Sequence, residues 1–344
     1  MPLGGRALLA IIAVAIAAGV GSYALGKSAA PSEAEAAAAR RQAQEAAFRS
    51  ALGPAGRAAN SRGHADGLDA GREAGGLDGL VAGRKALARK RKAAATLVWA
   101  TGDGADGGAG GKAVAELIDS SPVDRFLYLG DVYEGRSLEA FHDKYETTFG
   151  RLDDIAAPTP GNHEWDWHAT AYDRYWEEAK GRAQPPWYEF ALGGWQLLSL
   201  NSEADHAPGS PQLDWLEQRL ANTPEFGTCR LAYWHRPLRS GGMHGFQSDI
   251  RPLWQTLEHK ATIVLNGHDH DMQRFAPIAG LTEFVVGSGG RGHYVVAPLA
   301  GLEFSNDTDH GALRLRLSRG RASYAFVAVG GDVLDSGTLR CRRG

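Results

Sequence analysis

Cysteine is scarce in this chain: 344 residues contain Cys229 and Cys341 and no others. That excludes a dense disulfide framework and any cysteine-rich zinc site. Whether the two cysteines pair stays open, because a sequence does not show proximity. Excess charge of one sign is lacking too. The 37 Lys and Arg and 40 Asp and Glu leave a net charge of −3, which argues against a nucleic-acid-binding surface spread over the whole protein. No GxSxG elbow occurs, so serine hydrolysis has no support. Long apolar runs are absent but for one. Ala7 to Leu25 is 19 residues without a charge, just enough to span a bilayer. It reads as a signal anchor or a secretory signal peptide (1–26), and the mediocre small-x-small site Ser22-Tyr23-Ala24 favours the anchor. Arg6 precedes the run and Lys27, Arg40 and Arg41 follow it, so orientation is not decided. Export is expected, with the chain membrane-anchored or secreted.

Residues 27–94 have a different texture. Glu33 to Leu52 is rich in Ala, Glu, Arg and Gln, strong helix formers, and Gly53-Pro54 stops it. Glycine then recurs at Gly63, Gly67, Gly71, Gly75, Gly79 and Gly83. On a helix this would be a small-residue stripe suited to self-association. Each interior glycine costs about 0.8–1.0 kcal/mol against Ala, however, so a flexible stalk is the competing reading. The basic run Arg84-Lys85 and Arg89-Lys90-Arg91-Lys92 either meets acidic headgroups or is simply solvated.

From 95 to 344 short apolar runs alternate with helical patterns. TLVWA, KAVAELIDS, RFLYL, SLEAFHDKYETTF and IAAPT predict a β-α-β-α-β start with mainly parallel strands. WYEFAL, WQLLSL, CRLAYW, ATIVLN, TEFVVG, ALRLRL and ASYAFVAV predict a strand-rich second half, forming a second sheet packed on the first. Helices are expected there at Ser210–Ala221 and Asp249–His259.

Ligand-type residues fall just after these runs: Asp103, Asp131, Asn162 with His163, His235, and His268 with His270. Sites in open α/β sheets form outside the carboxyl ends of strands, so five segments are placed to converge. His268 and His270 share one face if their segment is extended. Two carboxylates, an amide oxygen and three imidazoles suit iron, zinc or manganese. Six ligands exceed what one catalytic metal with an open position needs, and fit two metals sharing a carboxylate.

The order Gly102-Asp103, Gly130-Asp131, Gly161-Asn162-His163-Glu164, Trp234-His235 and Gly267-His268-Asp269-His270 resembles the calcineurin-like metallophosphoesterases. The text around these motifs is similar to the bacterial branch related to purple acid phosphatases. The resemblance covers about 95–340 and implies a four-layer α/β/β/α sandwich. It implies that Asp131 bridges two divalent or trivalent ions, iron with zinc, manganese or iron. Asp103 and His270 would hold the first ion, and Asn162, His235 and His268 the second. His163 would assist the phosphoryl oxygens or the leaving group. The implied activity is acid-phosphatase-like hydrolysis of small phosphate esters, by a metal-bridging hydroxide attacking phosphorus in line without a phospho-enzyme. A phosphodiesterase on the same site is the alternative, and an envelope-anchored interaction protein acting through the stalk is the alternative of another class.

Two departures stand out. Many relatives have His two residues after the first Asp, where this chain has Ala105. Purple acid phosphatases carry Tyr three residues after the second Asp. Here Tyr133 comes two residues on and Glu134 takes the third place, so Tyr133 as a ligand stays open. His244 either reaches the site from its SGGMHG loop or lies on the surface. Trp165 and Trp167 read as core by default, with a wall of the cleft as the alternative. Two glycine-rich stretches fail as cofactor motifs. Gly287–Gly292 matches a dinucleotide pattern but no helix opens after it, and GADGGAGGKA lacks the first glycine and the Ser or Thr of a phosphate loop.

Overall fold

The computed structural model describes residues 95–181 and 184–344. The apolar run 7–25, the Ala/Glu/Arg-rich segment, the glycine repeat and the basic run lie outside the described residues. Among the described residues, no helix is long and apolar enough to cross a membrane.

The chain begins with β1 (Thr96–Thr101), α1 (Ala109–Asp119) and β2 (Arg125–Tyr128). Next come α2 (Leu138–Phe141), a π-helical turn (His142–Glu146), α3 (Thr147–Phe149) and α4 (Tyr172–Lys180). Then follow β3 (Tyr188–Leu192), β4 (Trp195–Ser199), α5 (Pro211–Asn222), β5 (Arg230–Tyr233), α6 (Arg251–Leu257) and β6 (Ile263–Asn266). The remaining strands are β7 (Met272–Phe275), β8 (Thr282–Val286), β9 (Leu302–Asn306), β10 (Gly311–Ser318), β11 (Arg321–Ala328) and β12 (Val333–Arg340).

One sheet runs β12-β11-β10-β1-β2 and the other β3-β4-β5-β6-β8-β7-β9. Side chains alternate across each strand, so a strand buried on both faces feeds two cores. On β1, Val98 and Ala100 enter the core between the sheets with Leu127, Leu231, Leu265 and Phe326. Trp99 points the other way, with Phe126 and Tyr128, onto Val114 and Ile118 of α1 and the rings of Phe141, Tyr145 and Phe149. On the second sheet Leu198, Ala232 and Val264 face Leu213 and Leu216 of α5 and Leu253, Trp254 and Leu257 of α6. The layers are therefore helix, sheet, sheet, helix. Ser210 and Pro211 start α5 where the sequence placed it: the Ser210 hydroxyl accepts from Leu213 N at 3.3 Å, and Pro211 occupies a first-turn position whose N–H would be unused.

Four expectations are corrected. IAAPT forms a single bridge, Phe126 to Ala156, instead of a strand, although Ala157 N and Thr159 N still donate to Phe126 O and Tyr128 O at 2.7 and 2.9 Å. ALRLRL and ASYAFVAV join the first sheet through antiparallel pairing of β1 with β10, so that sheet is mostly antiparallel. Trp167 is 49% exposed and Trp165 stacks on His168 at 4.1 Å, so neither is core. β7, β9, β12 and α4 were not anticipated. The cysteines do pair: a Cys229–Cys341 disulfide, with Cα atoms 4.9 Å apart, ties the C-terminal segment to the start of β5.

Candidate metal centre

Parallel pairing of β1 with β2, and of β4, β5, β6 and β8 with one another, gives the strands of each group a common direction. Asp103, Asp131, His235 and His268 stand just past the carboxyl ends of β1, β2, β5 and β6, and their contacts show the ends meeting at one place. The approach is close enough to require glycine. A β-carbon on Gly161 would lie 2.2 Å from Asp131 Oδ1, one on Gly130 2.8 Å from His235 Nδ1, and one on Gly267 2.5 Å from Asp103 Oδ2. Asp103, Asp131 and His268 themselves hold positive φ (61°, 66° and 71°). Such conformations cost about 1–3 kcal/mol each and persist where the surroundings over-determine them.

His235 is the centre of the first donor group. Its Nδ1 donates to the carbonyl of Leu129 at 2.9 Å, which leaves Nε2 facing inward. Around Nε2 stand Asp131 Oδ1 at 3.2 Å, Asn162 Oδ1 at 3.1 Å and His268 Nδ1 at 3.1 Å. One donor atom from each of Asp131, His235 and His268 lies within 4.8 Å of the others. Four lone-pair atoms pointing at one another repel unless a cation sits among them, and one proton on Nε2 serves only part of the set. A metal ion fits it.

The second group has the same logic. His270 Nδ1 donates to Gly292 O at 2.8 Å, so its Nε2 faces the Tyr133 hydroxyl at 2.7 Å and Asp103 Oδ1 at 3.8 Å. The Tyr133 hydroxyl is also 3.4 Å from Asp103 Oδ1. Tyr133 therefore points into the site although it comes one place early. Glu134, the residue in the expected place, has φ 58° and is exposed. Ala105 lies in a parallel bridge to Val132, and its carbonyl accepts from Tyr133 N at 3.0 Å.

The electrostatics describe a site short of positive charge. Burial lifts Asp103 well above the usual carboxylate range, and Asp131 adds to this against the pull of His235. Burial also works to raise Asp131, but His235 and His163 outweigh it and bring it down to about 2. Burial opposes a charge on His235, yet Asp131 raises its basicity well above normal. Burial, then His235 and His244, push His268 down to about 2, and burial pushes His270 down to about 4. Both imidazoles thus present unprotonated nitrogens at neutral pH, the form that binds metals.

Around the donors, His163 is half-exposed, with Nε2 3.8 Å from Asp131 Oδ2 and its backbone N donating to Asp131 Oδ1 at 3.1 Å. His244 does reach the site: its ring stacks on His268 at 3.8 Å, and its Nδ1 is 2.7 Å from Asp269 Oδ1. Sequence reasoning missed Glu164. Its buried carboxylate accepts from Asp131 N (3.1 Å), Val132 N (3.0 Å) and Gly161 N (2.9 Å), clamping the second and third motifs together. Tyr294, also missed, stacks on His270 at 4.0 Å. Glu164 had a signal, its place directly after His163, whereas Tyr294 comes two residues after the glycine stretch 287–292 that fails as a cofactor motif.

Residues 75–272 match the family model for calcineurin-like phosphoesterase, more than half of the chain. Over 190 residues the chain is 28% identical to the probable purple acid phosphatase 20 of Arabidopsis thaliana, a match covering 48% of this chain and 44% of that protein. Purple acid phosphatase 7 of the same plant is 28% identical over 124 residues, covering 33% of this chain and 36% of its own length. The chain thus spans less than half the length of these curated relatives. Among solved structures, Plasmodium GAP50, described as the anchor in the inner membrane complex, superposes with TM-score 0.61 at 17% identity, over 73% of this chain and 90% of that one. Purple acid phosphatase PPD1 from yellow lupin seeds gives 0.58 at 20% identity, over 72% and 54%. Motif order, fold and sequence similarity agree, and the chain belongs to the calcineurin-like phosphoesterase family, where it resembles the purple acid phosphatases.

Proposed function

We propose that the protein is a binuclear metal-dependent hydrolase of phosphate esters that takes monoesters ahead of diesters. The observation that carries this reading is the convergence of lone pairs from Asp131, Asn162, His235 and His268 on one point, beside the group Asp103, Tyr133 and His270. Asp103, Tyr133 and His270 would hold one ion, Asn162, His235 and His268 the other, and Asp131 both. The nitrogen and oxygen donors suit iron, zinc or manganese, and the phenol favours ferric iron on its side. Bound there, two such ions would supply Lewis acidity and an activated water for in-line displacement.

The chain's own residues do the rest. Leu129 and Gly292 carbonyls fix the tautomers of His235 and His270, so that the correct nitrogens face inward. Glu164 fixes the backbone that carries Asp131. His163, half-exposed beside Asp131, is placed to hydrogen-bond a phosphoryl oxygen or to protonate the leaving group. His244, anchored on Asp269 and stacked on His268, borders the leaving-group side.

The Cys229–Cys341 disulfide supports an oxidising compartment and hence export. Anchoring through residues 7–25, stalk self-association and an anchor role like that named for GAP50 form a second reading, and the intact donor set favours the enzyme over it. The test is turnover of an aryl phosphomonoester beside the matching diester with added manganese, zinc or iron, using Asp131→Ala as control. Metal-dependent turnover lost in the control supports the enzyme. Neither turnover nor metal binding would return the anchor reading to the front.

A further inference from the structure

The two glycine-rich stretches that fail as cofactor motifs pack against each other. Gly289 N donates to Gly102 O at 3.0 Å. A β-carbon on Gly104 would sit 2.1 Å from Gly289 O, one on Gly110 2.3 Å from Gly290 O, and one on Gly290 2.1 Å from Gly111 N. Only glycine lets these backbones touch, so the contact explains both stretches without a nucleotide. Its product is the placement of Arg291. Arg291 N donates to the carbonyl of Asp103 at 3.0 Å, fixing this residue's backbone to a candidate metal ligand.

The Arg291 guanidinium lies over the ring of Tyr133, 4.4 Å from its centroid, and the hydroxyl of that ring points into the donor group. Its other partner is Asp106, with Nη1 3.4 Å from Oδ2. At 47% side-chain exposure, that long ion pair is worth little and is easily exchanged for a stronger acceptor. Other basic residues border these loops, Lys112 and Arg136 in sequence and Lys144 beside Gly107, while Arg291 is the cation that lies over Tyr133. A guanidinium is planar and offers paired N–H groups that match two oxygens of a phosphate. A monoester near neutral pH carries about one more negative charge than a diester, and one more unsubstituted oxygen.

We propose that Arg291 reads the additional anionic oxygen of a phosphomonoester, and so selects monoesters over diesters at this site. The proposal rests on the reading of the site as a metal-dependent phosphoesterase. The competing account makes Arg291 a structural pin between two loops.

The test compares wild type, Arg291→Met and Arg291→Lys in the full chain, each checked for unchanged metal content. Inorganic phosphate binding to the metal-loaded protein is measured by calorimetry, and kcat/KM for an aryl phosphomonoester and its matching diester by absorbance. Loss of a charge-assisted pair predicts about tenfold to hundredfold weaker phosphate binding in Arg291→Met, with a like fall for the monoester. Less than a threefold change is expected for the diester, and Arg291→Lys should recover part of the loss. Equal losses on both esters, or phosphate binding unchanged in Arg291→Met, would overturn the proposal. If the wild type loads two metals but turns over neither ester, the functional reading has failed, and phosphate binding still decides the role of Arg291.

Discussion

Replacing Glu164 with alanine removes the acceptor of three buried backbone N–H groups, those of Asp131, Val132 and Gly161. Leaving a buried donor unpaired costs about 1–3 kcal/mol. Part of the total is offset, because burial, reinforced by Asp131, lifts the Glu164 acid to about 8, and alanine relieves that penalty. Three donors at that cost total about 3–9 kcal/mol, and with the offset a net loss of about 1–5 kcal/mol is expected. Glutamine separates the contributions. Its amide oxygen can keep Asp131 N and Gly161 N, while its NH2 meets Val132 N–H donor to donor, for an expected loss of about 1–3 kcal/mol. Urea unfolding of the metal-free proteins measures both, and metal dissociation rates show whether the Asp131 loop has loosened. The reasoning fails if alanine costs less than glutamine, or if neither changes stability by about 1 kcal/mol while metal is retained.

Other perturbations address separate parts of the structure. Tyr133→Phe in iron-loaded protein should abolish a visible phenolate-to-iron absorption band, and an unchanged spectrum would remove Tyr133 from the ligand set. His163→Ala should lower kcat about 10²–10⁴-fold with metal content intact, and least for esters with good leaving groups. Burial raises Asp153 to about 6 from 3.8 against the hydrogen bond from Tyr175, so its stabilising neutral form is fully present below about pH 4 and lost as pH rises through 6. Asp153→Asn should therefore gain about 1–3 kcal/mol over wild type at alkaline pH and little at acid pH, and a pH-independent difference in unfolding midpoints would contradict this. Reducing Cys229–Cys341 should cost about 2–4 kcal/mol, read as a lower unfolding midpoint with dithiothreitol.

Much of the site was legible because its chemistry sits in short motifs at strand ends, and burial made those strands apolar. Asp103 after TLVWAT and His235 after RLAYW need no long-range information to be singled out. What the sequence withheld was mostly non-local. The partner of β1 is β10, some two hundred residues on, and no local pattern announces that pairing. β12 alternates between exposed and half-buried residues at a sheet edge, so it carries no apolar signature. α4 did carry one, with Tyr172, Tyr175 and Trp176 buried at helical spacing, and was overlooked. The direction of Tyr133 depends on left-handed backbone at Asp131 and Glu134, a conformation for which neither residue type is diagnostic. Gly289 and Gly290 looked like part of a cofactor loop, yet they serve a backbone contact with Gly102 and Gly111 that only three dimensions reveal.

Counting bound metal decides whether two ions share Asp131. The purified protein, loaded with manganese or with iron and zinc and freed of excess ion, should hold two metal ions per chain by elemental analysis. Asp131→Ala should fall well below that, and Asp103→Ala should lose one ion while keeping the one at His235 and His268. A wild-type chain that retains one ion or none, or an Asp131→Ala variant that still holds two, would contradict the account.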